Sequence, residues 1–127
     1  MKADLRLAYE KADYVVSGVR FHIGDPNPEL DALVATTAAY ITAANPHSKV
    51  QSPLHNEMAH ERLRALVAAY PSLPAESRDP VKQFPPEKGL LVLGIALADA
   101  MTIGRVLEQN AIVFVEKHRP PQLVVLV

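Results

Sequence analysis

No cysteine occurs among the 127 residues, which excludes disulfides, thiolate zinc sites and cysteine nucleophiles. Such usage suits a reducing cytoplasm. An excess of one charge sign is missing too, with 13 Lys and Arg against 14 Asp and Glu. That balance argues against a duplex-binding surface, which needs a strong basic field. Arg62, Arg64, Lys117, His118 and Arg119 are basic, but Glu57, Glu61 and Glu116 stand among them. The opening stretch MKADLRLAYEKADY spreads its charges and has no apolar signal-peptide core. The longest oily run, GLLVLGIALADAM, is broken by Asp99 and is too short to span a bilayer. GxSxG, P-loop and dinucleotide fingerprints do not occur, so no cofactor is expected. His55 and His60 lie five apart, not at the i, i+4 spacing that puts two ligands on one helix face, so HNEMAHE is not expected to hold a metal. A soluble cytoplasmic protein is what these absences leave.

About half of the residues are apolar and a fifth are charged, the composition of one globular domain spanning 1–127. Leu5, Ala8 and Tyr9 have helical spacing. YVVSGVRFHIG reads as two short strands around Ser17-Gly18. Asn27 as cap, Pro28 as first residue and Glu29 in the first turn start a helix whose stripe is Leu30, Leu33, Val34 and Ala38. AYITAA is a buried strand, and Ser52-Pro53 opens a helix to about Tyr70. Residues 71–89 hold five prolines in nineteen positions and read as an extended connection with at most one short edge strand. LLVLGIA lacks polar alternation and reads as a central strand. ADAMTIGRVLEQ is a helix in which Gly104 permits close approach. It is followed by Asn110 as a left-handed cap, then by AIVFVE and QLVVLV as an antiparallel pair.

The expected fold is therefore α+β, in the order α-β-β-α-β-α-(β)-β-α-β-β. It has about four helices and a mixed sheet of five or six strands, because each strand–helix–strand stretch suggests a parallel crossover.

One corner does not fit packing alone. At 100° per residue, Ala59, Leu63, Leu66, Val67 and Tyr70 share one face of the helix from Pro53. Asn56 and His60 fall about 20° and about 60° from Leu63, on that same face. A buried amide needs partners, and the nearest by chain order lie in the loop Asn45 to Ser48. Each residue alone reads best as ordinary packing: Asn45 as an Asx turn, Asn56 as a pin for the loop, His60 as a satisfied imidazole. The case for a site rests on their clustering near the end of a strand and the start of a helix. Glu87 joins the corner if strands 90–96 and 39–44 are neighbours. Gln109 reads as a last-turn residue unless it too faces that corner.

AYITAANPHS, the helical Asn–Leu–Leu pattern after it, PPEKGLLVLGI and EQNAIVFVE together resemble the bacterial domain of unknown function 3293, from about Tyr14 to Leu126. The resemblance implies Asn45, Pro46, Ser48, Asn56, Glu87, Gln109 and Asn110 as the positions of interest. It departs where the family often has a tryptophan, near Phe84, and where it often has an aromatic, at Ala44. It implies no established activity.

Three functions follow as expectations. The first is binding of a small polar ligand or nucleotide-like group by Asn45, Ser48, Asn56, His60, Glu87, Gln109 and Asn110. The second is a homodimer or protein-interaction module formed through the C-terminal strand, with nucleic acid not expected as a partner. The third is a hydrolase-type enzyme with Glu87 or His60 as base.

Overall fold

Local chemistry starts the elements where the capping residues stand. In the computed structural model, which describes residues 1–127, α1 (Ala3–Lys11) precedes β1 (Asp13–Val16) and β2 (Val19–Phe21). Ser17 and Gly18 between the two strands both have positive φ, at 48° and 76°, as a tight two-residue hairpin requires. Asn27 accepts a hydrogen bond from the Leu30 N–H (3.0 Å) and begins α2 (Pro28–Leu33). Ser52 accepts one from the His55 N–H (3.1 Å) and begins α3 (Pro53–Leu66). Between these helices run β3 (Thr37–Thr42) and a single 3₁₀ turn at Pro46–Ser48. The remaining elements are β4 (Ser72–Arg78), β5 (Glu87–Leu93), α4 (Leu97–Val106), β6 (Ala111–Glu116) and β7 (Gln122–Val125).

The order of elements is the expected one, but the sheet is not. It has seven strands, in the order β2-β1-β4-β5-β3-β6-β7, and every pairing is antiparallel. The two expected crossovers exist, yet each is split by an inserted strand. β3 and β4 run in the same direction across α3 with β5 between them. β5 and β6 do so across α4 with β3 between them. This β-α-β-β-α-β arrangement is the split βαβ, ferredoxin-like unit, extended by the β1–β2 hairpin beside β4 and by the single strand β7 beside β6.

The proline-rich segment also departs from expectation, since β4 is an interior strand between β1 and β5. Pro74 is tolerated because the β1 ladder ends at Val16 opposite Ala75, so no N–H is required of Pro74 on that side. Only residues 79–86 remain as a loop. There the Asp79 carboxylate accepts hydrogen bonds from the N–H groups of Val81, Gln83 and Phe84.

Both faces of the sheet are covered. Ala39, Ile41, Leu90 and Val92 pack against Leu63 and Val67 of the α3 end and Ala100 and Leu107 of the α4 end. On the opposite face Tyr14, Phe21, Tyr40 and Leu91 pack with Leu30 and Val34. Val34 ends α2 and Ala38 belongs to β3, so the expected helical stripe is shared between two elements. Leu66, expected inside, is exposed, and α3 stops there rather than at Tyr70. Asn110 is not the cap of α4. Glu108 takes the left-handed conformation (φ 57°), and the N–H groups of Glu108 and Gln109 bond to the carbonyls of Arg105 and Gly104, a Schellman closure.

Candidate functional site

The corner is assembled by strand register. β3 and β5 are neighbours with Thr42 opposite Gly89, so the chain leaving β3 passes beside the chain entering β5. Asn45 and Glu87 are thereby brought to one place. Gly89 is required there. A Cβ on it would lie 2.6 Å from the Ile41 carbonyl oxygen and 2.8 Å from the Tyr40 ring. Tyr40 instead crosses the glycine and donates its hydroxyl to the Glu87 carbonyl (2.9 Å).

Between β3 and α3 the chain turns under strain. Asn45, His47 and Ser48 all have φ between 47° and 61°, and each such residue other than glycine costs about 1–2 kcal/mol. Side chains from three directions hold the turn. The Asn45 N–H donates to Asn56 Oδ1 (3.0 Å), while Asn45 Oδ1 accepts from the Asn56 amide (2.9 Å) and from the Gln51 N–H (2.9 Å). From the α4–β6 junction, Gln109 Nε2 donates to the Ala44 carbonyl (3.1 Å) and Asn110 Nδ2 donates to Ser48 Oγ (2.8 Å). The His47 N–H donates to the Glu108 carbonyl (2.8 Å).

These pins frame a cleft of about 230 Å³ between the start of α3 and the Pro85–Pro86 segment. Of the seven residues expected to form a site, Asn45, Asn56, His60 and Glu87 line it. Ser48, Gln109 and Asn110 do not. Ser48 belongs to the strained turn and its hydroxyl accepts from Asn110, while Gln109 donates to the Ala44 carbonyl just before the turn. Gln51 and Lys88 also line the cleft. Sequence spacing gave no sign of either, although Gln51 directly precedes the Ser52 cap. Tyr9 is a further omission. Burial pushes its phenol up, hydrogen bonding with Ser48 counters this, and the Glu87 charge adds to the rise. Nothing in the spacing of α1 tied that tyrosine to this corner.

The ionisable groups are unevenly served. Glu87 lines the cleft half-buried. Burial pushes its carboxyl above the usual carboxylate value, and hydrogen bonding from the Asn45 side chain partly offsets this. His60 is 3% exposed, and neither ring nitrogen has a hydrogen-bond partner. Burial, then the charges of Lys88 and Arg64, hold its imidazole below the ordinary histidine value, so it is neutral at pH 7. A neutral imidazole offers one donor and one acceptor. At the cleft rim, Lys88 Nζ lies 3.3 Å from Glu57 Oε1.

No group of three or more His, Cys, Asp or Glu side chains is arranged to hold a metal ion. No helix is long and apolar enough to cross a membrane. In the basic stretches named above, Arg64 faces Glu61 and Arg119 faces Glu116, each at 3.6 Å.

No curated protein and no solved structure matches the chain. A family model described as "Protein of unknown function (DUF3293)" matches residues 41–112. That segment runs from within β3, through both helices of the split unit, into β6, and it contains all seven corner residues. It is more than half of the chain, and the protein belongs to the DUF3293 family.

Proposed function

We propose that the cleft binds a small polar ligand or a nucleotide fragment such as a base or a sugar. The observation carrying this reading is His60. A buried polar group without a partner costs about 1–3 kcal/mol, and such groups are rare in folded proteins. Here the group stands at a cleft lined by a half-buried carboxylate and three amides. At about 230 Å³ the space is below the ~300–1,000 Å³ of pockets for drug-sized ligands, which favours a fragment-sized ligand. The strained turn at Asn45–Ser48 adds support, because backbone strain held by several side chains collects at functional sites.

Titration of the ¹⁵N-labelled protein with a metabolite library tests the reading. Amide shifts are expected to cluster at residues 45–60 and 85–88, together with a change at the His60 ring. Shifts scattered over β1, β2 and β7, or none at all, would overturn it. If Glu87 or His60 acts as a base on the bound molecule, a hit from this library is also consumed. Product formation that disappears in Glu87→Gln or in His60→Leu is the mark of that hydrolytic reading.

A second reading rests on β7. It pairs with β6 on one side only, and its other edge is the end of the sheet, carrying half-buried Leu123, Val124 and Val125. Edges of this kind recruit another strand. Light scattering on the concentrated protein is expected to give the mass of a dimer, and a monomer mass rejects this reading.

A further inference from the structure

The chemistry left free in the cleft is lopsided. Asn45 Oδ1 already accepts two hydrogen bonds and Asn56 Oδ1 accepts one, all from groups within the protein. The strongest acceptor still facing the cleft is the half-buried Glu87 carboxylate. Among the charged side chains of the lining, Lys88 and Glu57 sit against one another at the rim, both more than half exposed. Glu87 forms no such pair, and the Asn45 side chain hydrogen-bonds to its carboxyl.

The start of α3 would ordinarily favour an anion, but its first-turn donors are largely used. Pro53 has no N–H, the His55 N–H is held by Ser52 Oγ, and the Asn56 N–H is held by the Ser52 carbonyl. An anion entering here would meet an uncompensated carboxylate and few free donors. A cation would neutralise a charge that burial leaves poorly solvated.

We infer that the ligand of this cleft carries a protonated amine or a guanidinium group, seated on the Glu87 carboxylate. This deepens the ligand-binding reading and rests on it. Guanidinium is the better geometric match to a carboxylate, through two parallel N–H bonds.

The test uses the intact protein with defined fragments: methylguanidinium and ethylammonium as cations, acetate and inorganic phosphate as anions, acetamide as the neutral control. NMR follows the amides of Asn45, Asn56, His60 and Lys88 and the side-chain carboxyl carbon of Glu87. The expected result is saturable shifts with the two cations, methylguanidinium binding tighter. Affinity falls at least tenfold in Glu87→Gln, whose folding is verified by circular dichroism. In the unmodified protein, cation binding weakens as pH drops through the titration of Glu87 recorded in the same spectra, which makes the result independent of the variant.

Saturable shifts at these residues with acetate, phosphate or acetamide, and none with the cations, overturn the charge assignment while leaving the cleft a ligand site. Absence of any response in the cleft overturns both readings. Cation binding that is undiminished in folded Glu87→Gln, or that persists once Glu87 is protonated, also overturns the assignment.

Discussion

At the scale of single residues, His60 and Glu87 depart from their ordinary values in opposite directions, and their effects on stability have opposite signs. The folded state holds the His60 imidazole below 6.5, the value of an unconstrained histidine. Its contribution is therefore fully present above pH 6.5 and is lost as pH falls toward the folded value. His60→Leu removes the unpaired group and that sensitivity together. We predict a gain of about 1–2 kcal/mol at pH 8, a larger gain at pH 5.5, and loss of any ligand response at residues 45–60. Urea melts of both proteins at the two pH values check the first two outcomes. Glu87 is the reverse case, its folded value being raised above 4.5. Its stabilising contribution is complete below pH 4.5 and disappears as pH rises through the folded value. Glu87→Gln is accordingly expected to melt higher than the parent at pH 7, with the advantage shrinking toward pH 4. A variant that gains stability while losing binding is the pattern of a site kept for function. His60 was visible on the helical wheel because the period of α3 put it among leucines. Tyr9 was invisible, since its link to Ser48 and Glu87 depends on where an exposed helix with no buried side chain happens to lie.

At the scale of elements, the turn between β3 and α3 stores strain that the surrounding amides must hold. Asn56 is the principal pin. Its side chain exchanges two hydrogen bonds with Asn45, and Asn45 in turn accepts from the Gln51 N–H. Asn56→Ala leaves the Asn45 N–H without its acceptor in a part-buried position. A loss of about 1–3 kcal/mol follows, with faster hydrogen exchange at Asn45 and Gln51 and little change in β1 and β2. Uniform acceleration over the whole sheet would show that the turn is not an independent unit. Helix starts were legible because Asn27, Ser52 and the prolines after them act through bonds only three residues long. The end of α4 was not. The left-handed position fell to Glu108, a residue with no preference for it, because Asn110 is committed to Ser48 and Gln109 to Ala44. β4 was under-read for a related reason: whether Pro74 breaks a strand depends on where the neighbouring β1 stops, which its own segment does not encode.

For the whole molecule, β3 and β5 misled because they are apolar on both faces. Continuous apolar strands usually belong to parallel sheets with helices on either side. Here the second face is covered by the tyrosines of β1 and β3 and by α2 instead, so antiparallel strands acquire the same pattern. The two crossovers interlock at the β3–β5 ladder, each inserting its strand into the other. That ladder should carry the cooperativity of the fold, and two packed glycines, Gly89 within the ladder and Gly104 on α4, offer a direct comparison. A Cβ at Gly89 meets the Ile41 carbonyl oxygen at 2.6 Å and the Tyr40 ring at 2.8 Å. Neither can retreat without parting the central strands. A Cβ at Gly104 meets Leu126 Cδ1 at 2.6 Å and Ile112 Cγ2 at 2.9 Å, of which the first is the free end of a flexible side chain beside the edge strand β7. Overpacking costs about 1–3 kcal/mol and occasionally more. Gly89→Ala should lie at or above the top of that range and raise hydrogen exchange in every strand. Gly104→Ala should lie near the bottom, with exchange raised only in β7 and the start of β6. Equal losses from the two substitutions, or exchange confined to β5 in the first, would mean that the interlocked crossovers fold as separable halves. The cleft would then rest on the β3–β5 register alone, and a local defect there would remove binding without unfolding the rest of the sheet.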